Sequence, residues 1–215
     1  MPWALHITKV QQGLIVQQEF AKLVMMGSNG RIELAPPLTD DERRDWELHV
    51  RGQFGFGLAV QVKSTMHLQR DGRVVPILHC FFQVPIKHLV TSPLFYYFIA
   101  YLDPKLMRLA DPVFLIPSSV FHKYASPKRH GAYMQFTFMA SMAADSRDRW
   151  QPYQLNPLEL GAKMLEIMAD LRRHRGLTQK APEVLSIPEA VLVRSANRRA
   201  RPQRKTQAAS DSKPE

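Results

Sequence analysis

The chain has 215 residues, of which 45% are hydrophobic and 22% are charged, proportions that exclude a fibrous or fully disordered protein and predict an ordinary folded domain. Its net charge of +10 predicts a polyanionic partner, either nucleic acid or an acidic lipid surface. The longest apolar run, Leu94 to Leu102, is far shorter than the ~20 residues of a transmembrane helix. We therefore expect no membrane span. The single cysteine, Cys80, and an N-terminus without a signal-peptide pattern predict a cytoplasmic protein.

The first predicted elements are a helix and a short strand. Apolar residues recur at helical spacing from Lys9 to Met26, and the following Gly27 is typical of a helix C-cap. The segment Arg31 to Leu34 predicts a short strand, and a proline-rich loop follows it.

Two strands that form a hairpin come next. Apolar and polar residues alternate in the arm Asp45 to Arg51 and again in the arm Leu58 to Thr65, so each arm has one apolar face. Residues directly opposite each other in an antiparallel pair share a face, and burying all the apolar residues together defines a register. The predicted pairs are Trp46 opposite Val62, Leu48 opposite Val60 and Val50 opposite Leu58.

The polar face of this hairpin carries groups that can bind ligands. In the predicted register Asp45 lies beside Lys63, and Glu47 lies beside Gln61. A carboxylate, an amide oxygen and an ammonium group then lie within one side chain's reach, a combination that suits a hard divalent cation and a phosphate. The glycine-rich segment between the arms, Gly52 to Gly57, lacks the helix and the lysine of a P-loop, and we interpret it as the hairpin turn.

The rest of the predicted body consists of four strands and two helices. The longer helix has a favourable N-cap at Asn156 and basic residues near its end. The strands are Val74 to Val84, Phe95 to Leu102, Pro112 to Ile116 and Tyr133 to Met139, and the helices are Ser118 to Tyr124 and Pro157 to His174. A helix, then strands, then closing helices predict an α/β or α+β fold with a mixed β-sheet flanked by helices.

Composition divides the chain into a body and a C-terminal part. We predict one domain over residues 1–175, a loosely packed extension over residues 176–195, and a disordered basic tail over residues 196–215 that cannot build a core. Half of the net charge lies from Arg194 onward. Basic clusters bind nucleic acid or are simply solvated surface charge. The residues that we expect to contact nucleic acid are Lys123, Lys128 and Arg129 in the body and Arg198, Arg199, Arg201, Arg204 and Lys205 in the tail.

Asp45 and the segment Gln61-Val62-Lys63-Ser64-Thr65, preceded by a helix that carries Glu19, resemble the PD-(D/E)xK nuclease superfamily. More narrowly, they resemble an uncharacterised bacterial branch with a D…QVKST hairpin. The resemblance covers roughly residues 10–140 and implies a restriction-endonuclease-like fold. It also implies that Asp45 binds a metal, that Gln61 takes the place of the usual glutamate, and that Lys63 faces the scissile phosphate. Glu19 matches the glutamate of the family's helix.

The chemistry implied by this resemblance is the hydrolysis of phosphodiester bonds, most readily in DNA. Mg²⁺, or Mn²⁺ in its place, prefers oxygen ligands, which Asp45, Gln61 and the carbonyl of Val62 would supply. A metal held in this way polarises a phosphoryl oxygen and lowers the pKa of a bound water, while Lys63 would orient that water or neutralise charge. Because Gln61 is neutral, the site should hold its cation more weakly than a site with two carboxylates. Cleavage of both strands of a duplex would favour a homodimer.

Two other functions stay open. A catalytically degenerate relative would bind nucleic acid or a protein partner through the same fold without cleavage, whereas a structural or interaction protein would contact DNA or RNA through its basic tail alone. The polar hairpin face also has a structural interpretation, an edge strand on which Lys63 pairs with Asp45. Glu19 likewise has a structural interpretation, as an exposed residue of the helix.

Overall fold

The structure, a computed structural model, describes residues 7–38, 44–53, 55–70 and 75–174. All of them fall within the predicted domain, whereas the predicted extension and basic tail lie outside the described residues. Over the described residues, no helix combines the length and the apolar composition of a membrane span. The elements in chain order are α1 (Lys9–Gly27), β1 (Ile32–Ala35), β2 (Trp46–Val50), β3 (Gly57–Thr65), β4 (Leu68–Gln69), β5 (Ile77–Pro85), β6 (Phe95–Asp103), β7 (Arg108–Leu109), β8 (Val113–Pro117), α2 (Ser118–Tyr124), β9 (Lys128–His130), β10 (Tyr133–Ser141), β11 (Gln154–Leu155) and α3 (Leu160–His174).

The strands form two sheets. The main sheet has the order β1-β2-β3-β6-β8-β11, with β7 paired to the end of β6, and it is mixed because β3 and β6 run parallel while its other pairs are antiparallel. This confirms the prediction of an α/β fold with a mixed sheet. The second sheet, β4-β5-β10-β9, is entirely antiparallel and was not predicted from the sequence. Strands β4 and β5 of this sheet lie in the connection between the parallel strands β3 and β6.

The strands β6 and β8 of the main sheet are buried on both faces, and each face of the sheet has its own core. Helices α1 and α3 cover one face and form the first core with alternate residues of β3 and β6, among them Val60 and Phe98. Strands β5 and β10 and helix α2 cover the other face and form the second core with the intervening residues of β6, among them Tyr97 and Ile99. Strand β6 is therefore buried along most of its length on both sides, as expected for a strand in the middle of a covered sheet.

The register of the β2–β3 hairpin differs from the predicted one by two residues. Trp46 pairs with Val60 and Leu48 pairs with Leu58, so the predicted pairs of Trp46 with Val62, of Leu48 with Val60 and of Val50 with Leu58 are wrong. A shift of two residues keeps every apolar side chain on the same face. It also brings Phe56 level with Val50, and Phe56 enters the first core with only 7% of its surface exposed. The burial of this extra aromatic side chain accounts for the observed register.

Helices α1 and α3 cross closely over the first face. Helix α1 begins with a capping box in which the hydroxyl of Thr8 accepts from the backbone N–H of Gln11, and the Gln11 side chain accepts from the N–H of Thr8. At its other end Gly27 lies against Gly161 of α3. A Cβ at Gly161 would lie 2.3 Å from the backbone nitrogen of Ser28 and 2.4 Å from the carbonyl carbon of Gly27. The closeness of the two helices therefore requires glycine at position 161.

We expect the substitution Gly161→Ala to lower the free energy of unfolding by about 1 to 3 kcal/mol, because backbone atoms must move to admit the methyl group. The matched control is Gly13→Ala in α1, where a Cβ would meet nothing within 4 Å. This substitution should stabilise the protein by up to about 1 kcal/mol, because alanine is the better helix former. Urea unfolding followed by circular dichroism measures both effects. Equal effects of the two added methyl groups would contradict the close helix crossing.

One histidine lies partly buried at the edge of the second core. The Nε2 atom of His122 lies 2.9 Å from the hydroxyl of Tyr97, and its Nδ1 atom lies 2.7 Å from the hydroxyl of Thr91. The ring of Phe136 stacks on the imidazole. A neutral imidazole can donate through one nitrogen and accept through the other, which suits two hydroxyl partners. Burial lowers the pKa of His122 from 6.5 to about 4, so the neutral form is favoured in the folded protein.

Because the unfolded chain takes up this proton more readily, the stabilising effect of neutral His122 is present above pH 6.5 and is lost as the pH falls toward 4. One such group changes the free energy of unfolding by at most about 1.4 kcal/mol per pH unit. We expect His122→Gln, which keeps a donor and an acceptor, to reduce the slope of stability against pH in this window. Urea unfolding of both proteins from pH 7 to pH 4 measures the difference. Parallel curves would show that His122 does not contribute.

Candidate functional site

A cleft of about 800 Å³ lies between the N-terminal half of α1, the C-terminal half of β3 and the middle of β5. Asp45 and Lys63, the two charged residues that the sequence analysis selected from the hairpin, both line it. Helix α1 contributes Gln12 and Gln17 to the opposite wall. The cleft therefore brings a carboxylate and an ammonium group together from separate strands.

The carboxylate of Asp45 connects three elements. Asp45 immediately precedes β2, and its backbone N–H donates to the carbonyl of Val60 at 2.9 Å. Its Oδ2 atom accepts from the backbone N–H of Val62 at 2.6 Å, and its Oδ1 atom accepts from the side-chain amide of Gln17 at 2.7 Å. These charge-assisted hydrogen bonds hold both carboxylate oxygens in a defined orientation at the cleft.

Gln61 lies between Val60 and Val62, the two residues of β3 whose backbone groups form hydrogen bonds with Asp45. In the observed register Glu47 pairs with Ala59, so the predicted positions of Glu47 beside Gln61 and of Asp45 beside Lys63 in the ladder are wrong. Gln61 is only 3% exposed, and its Oε1 atom is buried without a hydrogen-bond partner among the described residues. A buried carbonyl oxygen without a partner costs about 1 to 3 kcal/mol. Such an oxygen calls for a physical explanation, and a cation or an ordered water that it binds would provide one.

Lys63 follows Gln61 on the same face of β3. Its ammonium group lies 5.2 Å from the centroid of the Phe82 ring, which places a cation over an aromatic face. Cys80, which also lines the cleft, is buried. Burial raises the pKa of the Cys80 thiol to about 12, although the positive charge of Lys63 opposes this shift. Cys80 therefore remains a neutral thiol at physiological pH and is not a candidate nucleophile.

Glu19 lies away from this cleft. Its carboxylate accepts a hydrogen bond from Lys22 at 2.7 Å, and it lines a separate pocket together with Met26 and Leu158. Residues 17 and 19 of a helix point about 200° apart, so the helix rotation that turns Gln17 toward Asp45 turns Glu19 away. Of the predicted site residues, Asp45, Val62 and Lys63 line the cleft, whereas Gln61 is buried in β3 and does not line it, and Glu19 lies at another pocket.

Sequence reasoning did not select Gln12 and Gln17. Gln17 holds Asp45, and the side-chain amide of Gln12 donates to the hydroxyl of Ser64 at 2.9 Å. Both residues flank the buried stripe of α1 that begins with Val16. That position, beside the face that packs on the sheet, was the one signal that could have identified them.

The predicted basic cluster of the body does not line the cleft. Lys123 lies in α2, with its ammonium group 5.0 Å from the centroid of the Tyr124 ring. Lys128 and Arg129 are exposed in β9, at the edge of the second sheet. The tail residues Arg198, Arg199, Arg201, Arg204 and Lys205 lie outside the described part of the chain.

The cleft offers few ligands to a cation. Over the described ranges, no three side chains of the types histidine, cysteine, aspartate and glutamate converge to hold a metal ion. The cleft offers one carboxylate, that of Asp45, and β3 holds beside it the buried amide oxygen of Gln61, next to Val62 in the chain. Both are oxygen ligands, the type that Mg²⁺ prefers, but together they supply a single negative charge.

We expect the substitution Gln61→Met to leave the free energy of unfolding unchanged or to raise it by up to about 1 kcal/mol, because it removes a buried oxygen that lacks a partner. Urea unfolding measures this change. A loss of more than about 1 kcal/mol would show that the amide of Gln61 is a satisfied structural group. The matched control is Gln17→Met, which removes a donor to Asp45 and should destabilise the protein.

Comparisons of the chain with protein-family models, with curated proteins and with solved structures found no match. The resemblance to the PD-(D/E)xK nucleases therefore depends on Asp45, Gln61 and Lys63 and on the order of helix and hairpin around them.

Proposed function

We propose that the protein is a metal-dependent nuclease that hydrolyses phosphodiester bonds, with Asp45, Gln61 and Lys63 in its active site. The observation that carries this proposal is that Asp45, Val62 and Lys63 line one cleft, and that Gln61, the neighbour of Val62, has a buried oxygen without a partner among the described residues. A helix, then a hairpin with an aspartate at its mouth and Gln-x-Lys on its second arm, supports a restriction-endonuclease-like fold for the body. The net charge of +10 supports a nucleic acid as the substrate, most readily DNA.

Each residue has a role that follows from its chemistry. Asp45 and Gln61, with the carbonyl of Val62, would hold Mg²⁺ or Mn²⁺, which supplies Lewis-acid polarisation of the phosphate and a water of lowered pKa. Lys63 neutralises negative charge that develops on the phosphate during hydrolysis. Gln17 is a positioning residue, because its hydrogen bond holds the carboxylate of Asp45 toward the cleft.

The single carboxylate has a consequence for how the metal binds. One negative charge holds a divalent cation weakly, but a phosphate of the bound nucleic acid adds a second negative charge at the same place. The metal and the nucleic acid therefore strengthen each other's binding, by the same factor in both directions. Such a site would bind its metal ion mainly when nucleic acid is present.

The same composition favours a second function, binding of nucleic acid without cleavage. Amide side chains stand where further carboxylates would strengthen a metal site, since Gln12 and Gln17 line the cleft and Gln61 replaces the family's glutamate. Glu19 is turned away from the cleft. In this alternative, the ammonium group of Lys63 contacts a phosphate of the backbone and no bond is broken.

We expect Asp45→Asn and Lys63→Met each to lower the rate of cleavage of labelled DNA by at least about 100-fold in the presence of Mg²⁺ or Mn²⁺. The matched control is Glu166→Gln on the exposed face of α3, which makes the same change of carboxylate to amide and should leave the rate unchanged. Glu19→Gln should also leave it unchanged, because Glu19 pairs with Lys22 outside the cleft. Gel assays on single-stranded and duplex DNA and on RNA measure these rates.

Two results would contradict the nuclease proposal. Equal cleavage by the wild-type and Asp45→Asn proteins would place the activity outside this cleft. Binding of nucleic acid by both proteins without cleavage under any metal condition would establish the binding function instead.

A further inference from the structure

The second sheet has a face that points away from the second core. Strand β5 pairs with β10 so that Phe81 lies opposite Thr137 and Gln83 lies opposite Gln135. Residues opposite each other in an antiparallel pair share a face, and the intervening residues, such as Phe136, fill the second core. We call the other side the outer face. It is formed by His79, Phe81 and Gln83 of β5, by Tyr133, Gln135, Thr137 and Met139 of β10, and by Lys128 and His130 of β9.

Large apolar side chains are exposed on the outer face. Phe81 is 56% exposed, Tyr133 is 47% exposed and Met139 is 46% exposed. Their neighbours on the inner face, Phe136 and Phe138, are completely buried. The sheet therefore does not need these exposed side chains for its core. A group of exposed aromatic and apolar residues on one face indicates a binding surface.

The polar groups of the outer face complement a nucleic acid. The Gln83 amide donates to the Gln135 carbonyl at 3.4 Å, and this pair lies between the exposed rings of Phe81 and Tyr133. Lys128 lies opposite Gln135 at the edge of the face, and it forms no ion pair with any described residue. The residues of β4, β5, β9 and β10 include no aspartate or glutamate. The face thus combines exposed rings and amides with positive charge and no negative charge.

The outer face begins at the cleft. His79 and Phe81, which belong to the outer face, also line the cleft together with Asp45 and Lys63. Phe81 lies opposite Thr137, and Tyr133 lies four residues from Thr137 along β10, which is ~13 Å at the rise of an antiparallel strand. About four stacked nucleotides of one strand span the same length. A strand that passes through the cleft can therefore continue over both rings.

We propose that the outer face binds a single-stranded nucleic acid, whose unpaired bases stack on Phe81 and Tyr133 and whose phosphates contact Lys128. Every base has a π-face, so stacking of this kind tolerates any sequence, whereas the bases of a duplex are already stacked on one another. This inference rests on the proposed function of the cleft and narrows it, because it names single-stranded DNA or RNA as the substrate class.

The test is binding of the full chain to a fluorescein-labelled oligothymidylate of about 20 nucleotides, measured by fluorescence anisotropy in EDTA with excess unlabelled duplex. The duplex occupies sites that recognise only charge. We expect Phe81→Ala and Tyr133→Ala each to weaken binding by about fivefold or more, since stacking of one base contributes about 1 to 3 kcal/mol. Phe81→Trp should retain binding, because it keeps a ring for stacking. An oligouridylate arm of the same length distinguishes DNA from RNA.

Matched controls separate stacking from general surface effects. Leu158→Ala removes a still more exposed apolar side chain from a different part of the surface and should leave binding unchanged. Lys128→Ala should weaken binding and reduce its dependence on salt, whereas Lys105→Ala, in an exposed turn after β6, should change neither.

Retention of full affinity by the double variant Phe81→Ala with Tyr133→Ala would overturn the proposal. So would tighter binding of duplex than of oligothymidylate by the wild-type chain. Sedimentation of the full chain tests whether a second copy of the chain covers the outer face instead. A dimer that dissociates on the substitution Phe81→Ala, with unchanged binding of oligothymidylate, would also overturn the proposal. Because this binding needs neither metal nor cleavage, it can be observed even if the protein cleaves no nucleic acid. Conversely, a loss of cleavage in Asp45→Asn supports the nuclease proposal even if Phe81→Ala and Tyr133→Ala bind the oligothymidylate normally.

Discussion

The pairing of the parallel strands β3 and β6 is the constraint on which the rest of the structure depends. Because both faces of this pair are covered, β6 contributes Phe98 to one core and Tyr97 to the other. Strand β3 is apolar toward the helices but carries Gln61 and Lys63 toward the second sheet. The second sheet meets this polar end of β3 through Phe82 and leaves the cleft open beside it. The position of the cleft is therefore a consequence of how two layers cover one strand pair.

The geometry of the site follows from the same pairing. Asp45 does not act from β2 alone, because its carboxylate is bound by the backbone of β3 and by Gln17 of α1. A helix, a strand end and a neighbouring strand therefore all have to be in place before the carboxylate has its observed orientation. Gln61, in contrast, is buried, and its Oε1 atom has no hydrogen-bond partner in the part of the chain that the structure describes, which is a local departure from the usual pairing of buried polar groups.

Much of the fold could be predicted from sequence because its signals are local. The periodicity of α1, the alternation in β2 and β3, and the N-cap Asn156 before α3 each depend on nearby residues. The hairpin register could not be predicted correctly, since it is decided by Phe56 in the turn segment and by its burial in the distant core. Strands of two or three residues, such as β4 and β9, have no periodicity, and they form only because β5 and β10 pair across a long stretch of chain. Glu19, a predicted site residue, lies away from the cleft for a similar reason, because packing against the sheet sets the rotation of α1.

The interleaved order of the strands has a consequence for how the chain folds. Strand β5 pairs with β10, and β6 and β8 of the main sheet lie between these two strands in the chain. Strand β11, which also belongs to the main sheet, follows β10. Neither sheet is a contiguous stretch of chain that could fold first as a separate module. Pairings between distant segments carry a large loop-closure entropy before any contact is gained, which slows folding. We therefore expect the two layers to form and to melt as one cooperative unit, and any cut between β5 and β10 in the chain would affect both.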